Sequence, residues 1–273
     1  MNNIGIVYLA TSVYKNYFEN FLNTVNNFFP NDNKTIIAIS DGLTEYDNKS
    51  FGNVMIHVKY IEDMPYPIIP MLKLRHVTKY TKEYDFDYIF FFDSDTIFFE
   101  MPNDFWDALK SIMDQNKLLM SRHPHYLYNP NMYFNELFVI KDSRSCGYIE
   151  DESINENKTY VITSFFGGKY NVFEKYDKLV YDMIGKDLGN IRKLPCFVDE
   201  AYMNKINIDE NFKDNQESIY IDNFITITPY MFNAEINKSS NDIYHNNFTE
   251  YPSIFMNQKY SVELKDAKKF NEV

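Results

Sequence analysis

The run Tyr88-Ile-Phe-Phe-Phe92 passes straight into Asp93-Ser94-Asp95, and a second apolar run, Thr96-Ile-Phe-Phe99, follows. Few folds can hold such a stretch. Five consecutive aromatic or β-branched residues read as a short strand covered on both faces. A strand of that kind belongs inside a sheet with helices on either side, which makes the chain an α/β protein. Two carboxylates at its end are costly without a partner. In extended backbone, residues two apart project the same way, so Asp93 and Asp95 are expected to converge. Converging carboxylates suit a hard divalent cation that keeps positions open for phosphate oxygens. Open α/β sheets also gather ligands at the carboxyl ends of their strands. The same residues equally suit a solvated turn, since Asp and Ser both favour turns.

The rest of the chain supplies the remaining layers. Further strands are expected over 4–9, 34–39, 54–60, 117–121, 159–166 and 225–232. Ser12 reads as the N-cap of a helix over 13–29, whose stripe Tyr14, Phe18, Phe21, Leu22, Val25 and Phe29 is a core face. Other helices are expected over 71–83, 102–115, 172–187 and 199–205. Gly167-Gly168 reads as the stop of its strand, by positive φ or by close backbone approach. Residues 126–157 show no period and read as an excursion. At 273 residues the chain is near the upper limit for one core, so a single domain over 1–250 with a tail over 251–273 is expected.

A formal net charge of −12 excludes a general nucleic-acid binder, which needs a basic face. Cys146 and Cys196 are too few for a disulfide framework and read as reduced thiols, with a bridge between them still open. No apolar run is long enough to span a membrane, and residues 1–9 do not resemble a signal peptide. The compartment expected is the cytoplasm, with peripheral attachment at the inner membrane face included.

Four blocks, in order, resemble glycosyltransferase family six, which includes the blood-group A and B transferases and the α1,3-galactosyltransferases. They are Asp87-Tyr-Ile-Phe-Phe-Phe-Asp-Ser-Asp95, Ser121-Arg-His-Pro124 with Tyr126, Tyr160-Val-Ile-Thr-Ser-Phe-Phe-Gly-Gly168, and Phe197-Val-Asp-Glu-Ala-Tyr-Met-Asn-Lys205. Leu9-Ala-Thr-Ser-Val-Tyr14 is a weaker fifth. The resemblance implies a GT-A fold, Rossmann-like, with a nucleotide-binding part over about 1–100 and an acceptor and catalytic part over about 101–250. It implies transfer of galactose or N-acetylgalactosamine from a UDP-sugar to a glycan acceptor, fucosylated or galactose-terminated, in α1,3 linkage with retention. Carried over by position, Asp93 and Asp95 would hold Mn²⁺ or Mg²⁺ and, through it, the diphosphate. Ala10, Thr11 and Tyr14 would lie along the uridine, and Lys73 near the diphosphate. Ile162 and Ser164 would select the sugar, with small Ser164 leaning toward the N-acetyl form. Asp199 would bind the donor sugar, His123 and Phe197 the acceptor, and Glu200 would lie below the anomeric carbon. A lid role is expected of the tail.

The chain also departs from that pattern. The family's Tyr-Glu-Arg-Arg segment is replaced by Tyr133-Phe-Asn-Glu-Leu-Phe-Val-Ile140, Phe197 stands where Trp is usual, and Val198 where His is usual. A bacterial or phage member without the membrane anchor and stem of the animal enzymes is expected. Two alternatives stand beside this reading. One is a family-eight-like hexosyltransferase using His245 as a third metal ligand. The other is a nucleotide-sugar or carbohydrate-binding module without turnover.

Overall fold

The computed structural model describes residues 1–64, 68–100, 103–122, 142–149, 161–191, 198–208, 224–227, 232–233 and 255–257. Its strands are β1 (Asn3–Leu9), β2 (Asn33–Ser40), β3 (Ser50–Phe51), β4 (Val54–Tyr60), β5 (Tyr88–Asp93), β6 (Thr96–Phe98), β7 (Leu118–Arg122), β8 (Val161–Gly168), β9 (Phe224–Ile227), β10 (Phe232–Asn233) and β11 (Phe255–Asn257). Its α-helices are α1 (Phe18–Thr24), α2 (Ile68–Met71), α3 (Lys73–Thr81), α4 (Asn103–Met113), α5 (Tyr170–Asn190) and α6 (Val198–Ile208). The architecture is mixed α/β. Eight strands form the main sheet in the order β3-β4-β2-β1-β5-β8-β7-β9. β4, β2, β1 and β5 are parallel. β8 is antiparallel to both β5 and β7, and β9 is parallel to β7. A small second sheet runs β10-β11-β6.

β5 is the shared wall of two cores. Tyr88, Phe90 and Phe92 face one core with Phe18, Phe21, Phe28, Phe29 and Trp106. Ile89 and Phe91 face the other, with Val77 of α3, Phe173 of α5 and Tyr202 of α6. Many of the aromatic rings meet edge to face, as their quadrupoles prefer: Phe28 and Phe90 lie 4.8 Å apart at 88°. A layer of large rings leaves no room for a Cβ where backbone must come close. A Cβ on Gly5 would lie 2.5 Å from the Phe86 ring, and one on Gly167 would lie 2.9 Å from the Phe90 ring.

Several expectations need correction. Gly167 and Gly168 are the last residues of β8, opposite Phe90 and Ile89, and neither has a positive φ. Of the two alternatives expected, close approach is the one that holds, at Gly167, which the Phe90 ring crowds. The helix expected over 13–29 is broken into a 3₁₀ turn at Ser12–Tyr17, α1, and a second 3₁₀ turn at Val25–Asn27. Thr24 contributes to the break, because its hydroxyl donates back to the carbonyls of Asn20 and Phe21. Ser12 is not the N-cap; Thr11 is, without a side-chain bond, and Ser12 takes φ 54°. The helix expected over 71–83 starts earlier, as α2 with Pro70 inside it, and is interrupted at Leu72. The late strand expected over 225–232 is β9 followed by the separate β10. Cys146 is a free, half-buried thiol, and Cys196 lies outside the described residues. No helix among the described residues is long and apolar enough to cross a membrane.

α3 docks on α5 through Asp177, which accepts the Thr78 hydroxyl at 3.0 Å and pairs with Arg75 at 3.1 Å. On the same helix His76 is buried, and neither ring nitrogen has a hydrogen-bond partner among the described residues. Its ring stacks on Tyr80, with centroids 6.0 Å apart. Burial, aided by Lys79, pushes its pKa down to about 4. The unfolded chain therefore binds the proton first, so this contribution to stability is intact above pH 6.5 and is lost as pH falls toward 4. Urea melts of the wild type against His76→Phe should show the wild type losing about 3 kcal/mol more across that window. Parallel pH dependences would show that His76 is not buried neutral.

Candidate active site

Strand order locates a crevice. From β1 the chain builds outward through β2 to β4, then returns to place β5 on the other side of β1. The order reverses between β1 and β5, and ligands of open α/β sheets bind outside the carboxyl ends at such a point. Leu9 stands opposite Asp93 there, so the segment at Ala10 and Thr11 borders the same crevice as Asp93. Ala10 and Thr11 are buried, whereas the Tyr14 side chain is 49% exposed.

Lys73 is the first residue of α3, just after the break at Leu72. Its ammonium lies 3.2 Å from Asp93 Oδ1 and 3.1 Å from Asp199 Oδ2, and donates to the Thr163 carbonyl at 3.3 Å. It also sits 5.5 Å from the centre of the Phe91 ring. Burial pulls its pKa down, but Asp199 and Asp93 outweigh burial and raise it above the ordinary lysine value. Lys73 is thus a fixed cation through the neutral range.

β8 explains how α6 reaches this point. The pairing of β5 with β8 runs no further than Phe92 with Phe165. Toward β7 the register slips, from Met120 opposite Phe166 to Ser121 opposite Ile162, so residues 163–165 bulge from that ladder. Side chains take the backbone groups the sheet gives up. The Asn204 amide accepts the Val161 N–H at 2.8 Å and donates to the Val161 carbonyl at 2.8 Å, as a neighbouring strand would. A Glu200 oxygen accepts the Thr163 N–H at 3.4 Å and the Thr163 hydroxyl at 3.5 Å. Lys73 takes the Thr163 carbonyl. Asp199 and Glu200 lie in the first turn of α6, where the helix dipole favours acids.

Of the residues singled out in the sequence, Lys73, Asp93 and Asp199 are in direct contact. Glu200 joins them through Thr163, and Ile162 and Ser164 flank Thr163. Asp95 is set apart. Ser94 and Asp95 form a turn, so the extended geometry expected to align the two aspartates is absent. Asp95 is buried, and its charge acts on the Tyr8 hydroxyl in the other core. His123, Phe197 and His245 lie outside the described residues. Among the described residues, no three His, Cys, Asp or Glu side chains are grouped to hold a metal. Asp93 and Asp95 are hard oxygen donors, so they fit a hard cation whose shell is completed by ligand oxygens and water.

Thr163, Asn204, Tyr8 and Asp41 were not anticipated. Asn204 could have been flagged by its place one turn after Glu200, where its amide donates to the Glu200 carbonyl at 2.9 Å. No known protein-family model matches the chain, and no curated protein matches it.

Replacing Lys73 by Met would leave Asp93 and Asp199 facing each other without a cation. The loss should be about 3 kcal/mol in chemical denaturation, as for other broken buried pairs. The double variant with Asp199→Asn should recover part of it. A single variant as stable as the wild type would remove Lys73 as the tie between α3, β5 and α6.

Proposed function

We propose that this protein is a retaining glycosyltransferase of GT-A fold that moves galactose or N-acetylgalactosamine from a UDP-sugar to a glycan acceptor in α1,3 linkage, with Mn²⁺ or Mg²⁺. The observation that carries the reading is the meeting of Asp93, Lys73, Asp199 and, through Thr163, Glu200 at the carboxyl end of β5. Asp93, Lys73, Asp199 and Glu200 are residues the motif resemblance assigns to one donor site, and they come from two of its blocks and from α3, far apart in sequence.

Charge supports a metal. Among the described residues, Asp93, Asp199 and, through Thr163, Glu200 set three carboxylates around the ammonium of Lys73, and Asp95 follows Asp93 by two residues. A diphosphate adds negative charge, so a further cation must accompany it. Asp93 and Asp95 would hold that cation, which when bound would offset the charge growing on the leaving UDP. Lys73 supplies the second positive charge from the protein itself. Asp199, held by Lys73, is available to the hydroxyls of the donor sugar. Glu200 would face the anomeric carbon as it becomes cationic, the task of the second carboxylate in retaining glycosidases. Ala10, Thr11 and Tyr14 would border the uridine, Ile162 and Ser164 the sugar, and His123 and Phe197 the acceptor. Small Ser164 leaves room for an N-acetyl group. The tail is a lid in this reading: β11 pairs with β6, with Asn257 opposite Thr96 just after Asp95.

A panel of UDP-sugars, with and without Mn²⁺, tests the reading. UDP-galactose or UDP-N-acetylgalactosamine should be hydrolysed slowly, and only with the metal. Asp95→Asn should abolish this, and normal turnover in EDTA would remove the metal. Glu200→Gln should lower kcat by about 10²- to 10³-fold while UDP affinity stays nearly intact. An unchanged rate would assign the carboxylate's role elsewhere.

A further inference from the structure

Asp41 has no part in the chemistry above, yet it is fully engaged. It follows the carboxyl end of β2, and its two oxygens accept the Ser12 N–H at 3.1 and 3.2 Å and the Lys15 ammonium at 3.2 Å each. Ser12 has φ 54°. That left-handed conformation costs a residue with a Cβ, and serine adopts it only where its surroundings impose it. Thr11 before it is extended, at φ −118° and ψ 167°, so the chain swings round at Ser12 between the end of β1 and the 3₁₀ turn. The next contacts fix Tyr14. Its N–H donates to the Thr11 carbonyl at 3.1 Å, and its carbonyl accepts the Tyr8 hydroxyl at 3.3 Å. Its side chain stays half exposed. Gly42 clears the way for the Lys15 stem, since a Cβ there would lie 3.2 Å from Lys15 Cδ.

We propose that Asp41 is a positioning residue for the nucleotide: by holding Ser12 left-handed it sets the direction in which Thr11 and Tyr14 meet the crevice between β1 and β5. The inference rests on the reading of that crevice as the UDP site. It calls for no contact between Asp41 and the nucleotide, because both carboxylate oxygens are already committed to the loop. A loop that must find its bound conformation first binds more weakly, by the fraction of time it spends there.

Calorimetric titration with UDP and Mn²⁺ separates the possibilities. Asp41→Ala should weaken UDP about tenfold while leaving kcat at saturating donor within about twofold. Glycine visits the left-handed region freely, so adding Ser12→Gly to Asp41→Ala should restore most of the affinity. Ser12→Val, whose branched side chain disfavours that region while Asp41 is untouched, should weaken UDP to a similar degree. It keeps the question open to test should Asp41→Ala fail to fold. Wild-type affinity in Asp41→Ala or in Ser12→Val would overturn the inference. So would a double variant no tighter than Asp41→Ala, since direct contact with the nucleotide would then explain the loss. Failure of the wild-type protein itself to bind UDP would overturn both the inference and the function it rests on.

Discussion

One ammonium group ties together parts of the chain that are distant in sequence. Lys73 opens α3, Asp93 ends β5, Thr163 lies in the bulge of β8, and Asp199 opens α6; the ammonium touches all three partners. Such a group is a poor device for stability alone. Removing a lysine and two carboxylates from water costs several kcal/mol, and apolar side chains of similar volume commonly do as well or better. Two cores of aromatic and aliphatic residues are already present to stabilise the sheet. A charged cluster at the carboxyl end of a central strand is therefore better understood as a site whose cost the cores offset than as part of the framework.

The cluster follows from a mismatch in strand length. β5 stops at Asp93, while β8 extends past its last β5 partner, Phe165, as far back as Val161. Buried backbone groups must be satisfied, and here side chains of α6 and α3 satisfy them. Asn204 acts as a piece of strand for Val161, and Glu200 and Lys73 divide the two backbone groups of Thr163. Meeting the needs of one strand edge thus draws the amino end of α6 into the crevice and fixes Asp199 and Glu200 there. Tyr202 anchors the same helix at a second place by donating to the buried Asp187 at 2.5 Å.

What could be read from the sequence was whatever depends on neighbouring residues in the chain. The apolar runs of β1 and β5 and the bounds of β4 at Val54 and Tyr60 carry their own signal, so the layer structure was legible. Local pattern failed where a distant group decides. Asp41 lies 29 residues from the serine it holds left-handed, so Ser12 looked like an ordinary cap. Phe90 crowds Gly167 from the adjacent strand, so the sequence could name close approach only as one of two reasons for that glycine. Asp93 and Asp95 looked aligned because alternation assumes extended backbone, and the chain turns at Ser94 and Asp95. Thr163 gave no warning because its role exists only where a sheet edge loses its partner.

Tyr8 shows how these neighbourhoods are joined. Its hydroxyl supports the carbonyl of Tyr14 and also feels the charge of Asp95. Its pKa is raised first by burial, then by Asp95 and Tyr17. A positive charge arriving beside Asp95 would cancel the second cause but not the first. The phenol would remain protonated, and its donation to Tyr14 would persist. The hydrogen bond that Tyr8 gives the loop at the end of β1 therefore does not depend on the charge at Asp95. A cation and a nucleoside held at these two places would meet a loop already in shape, whichever arrived first.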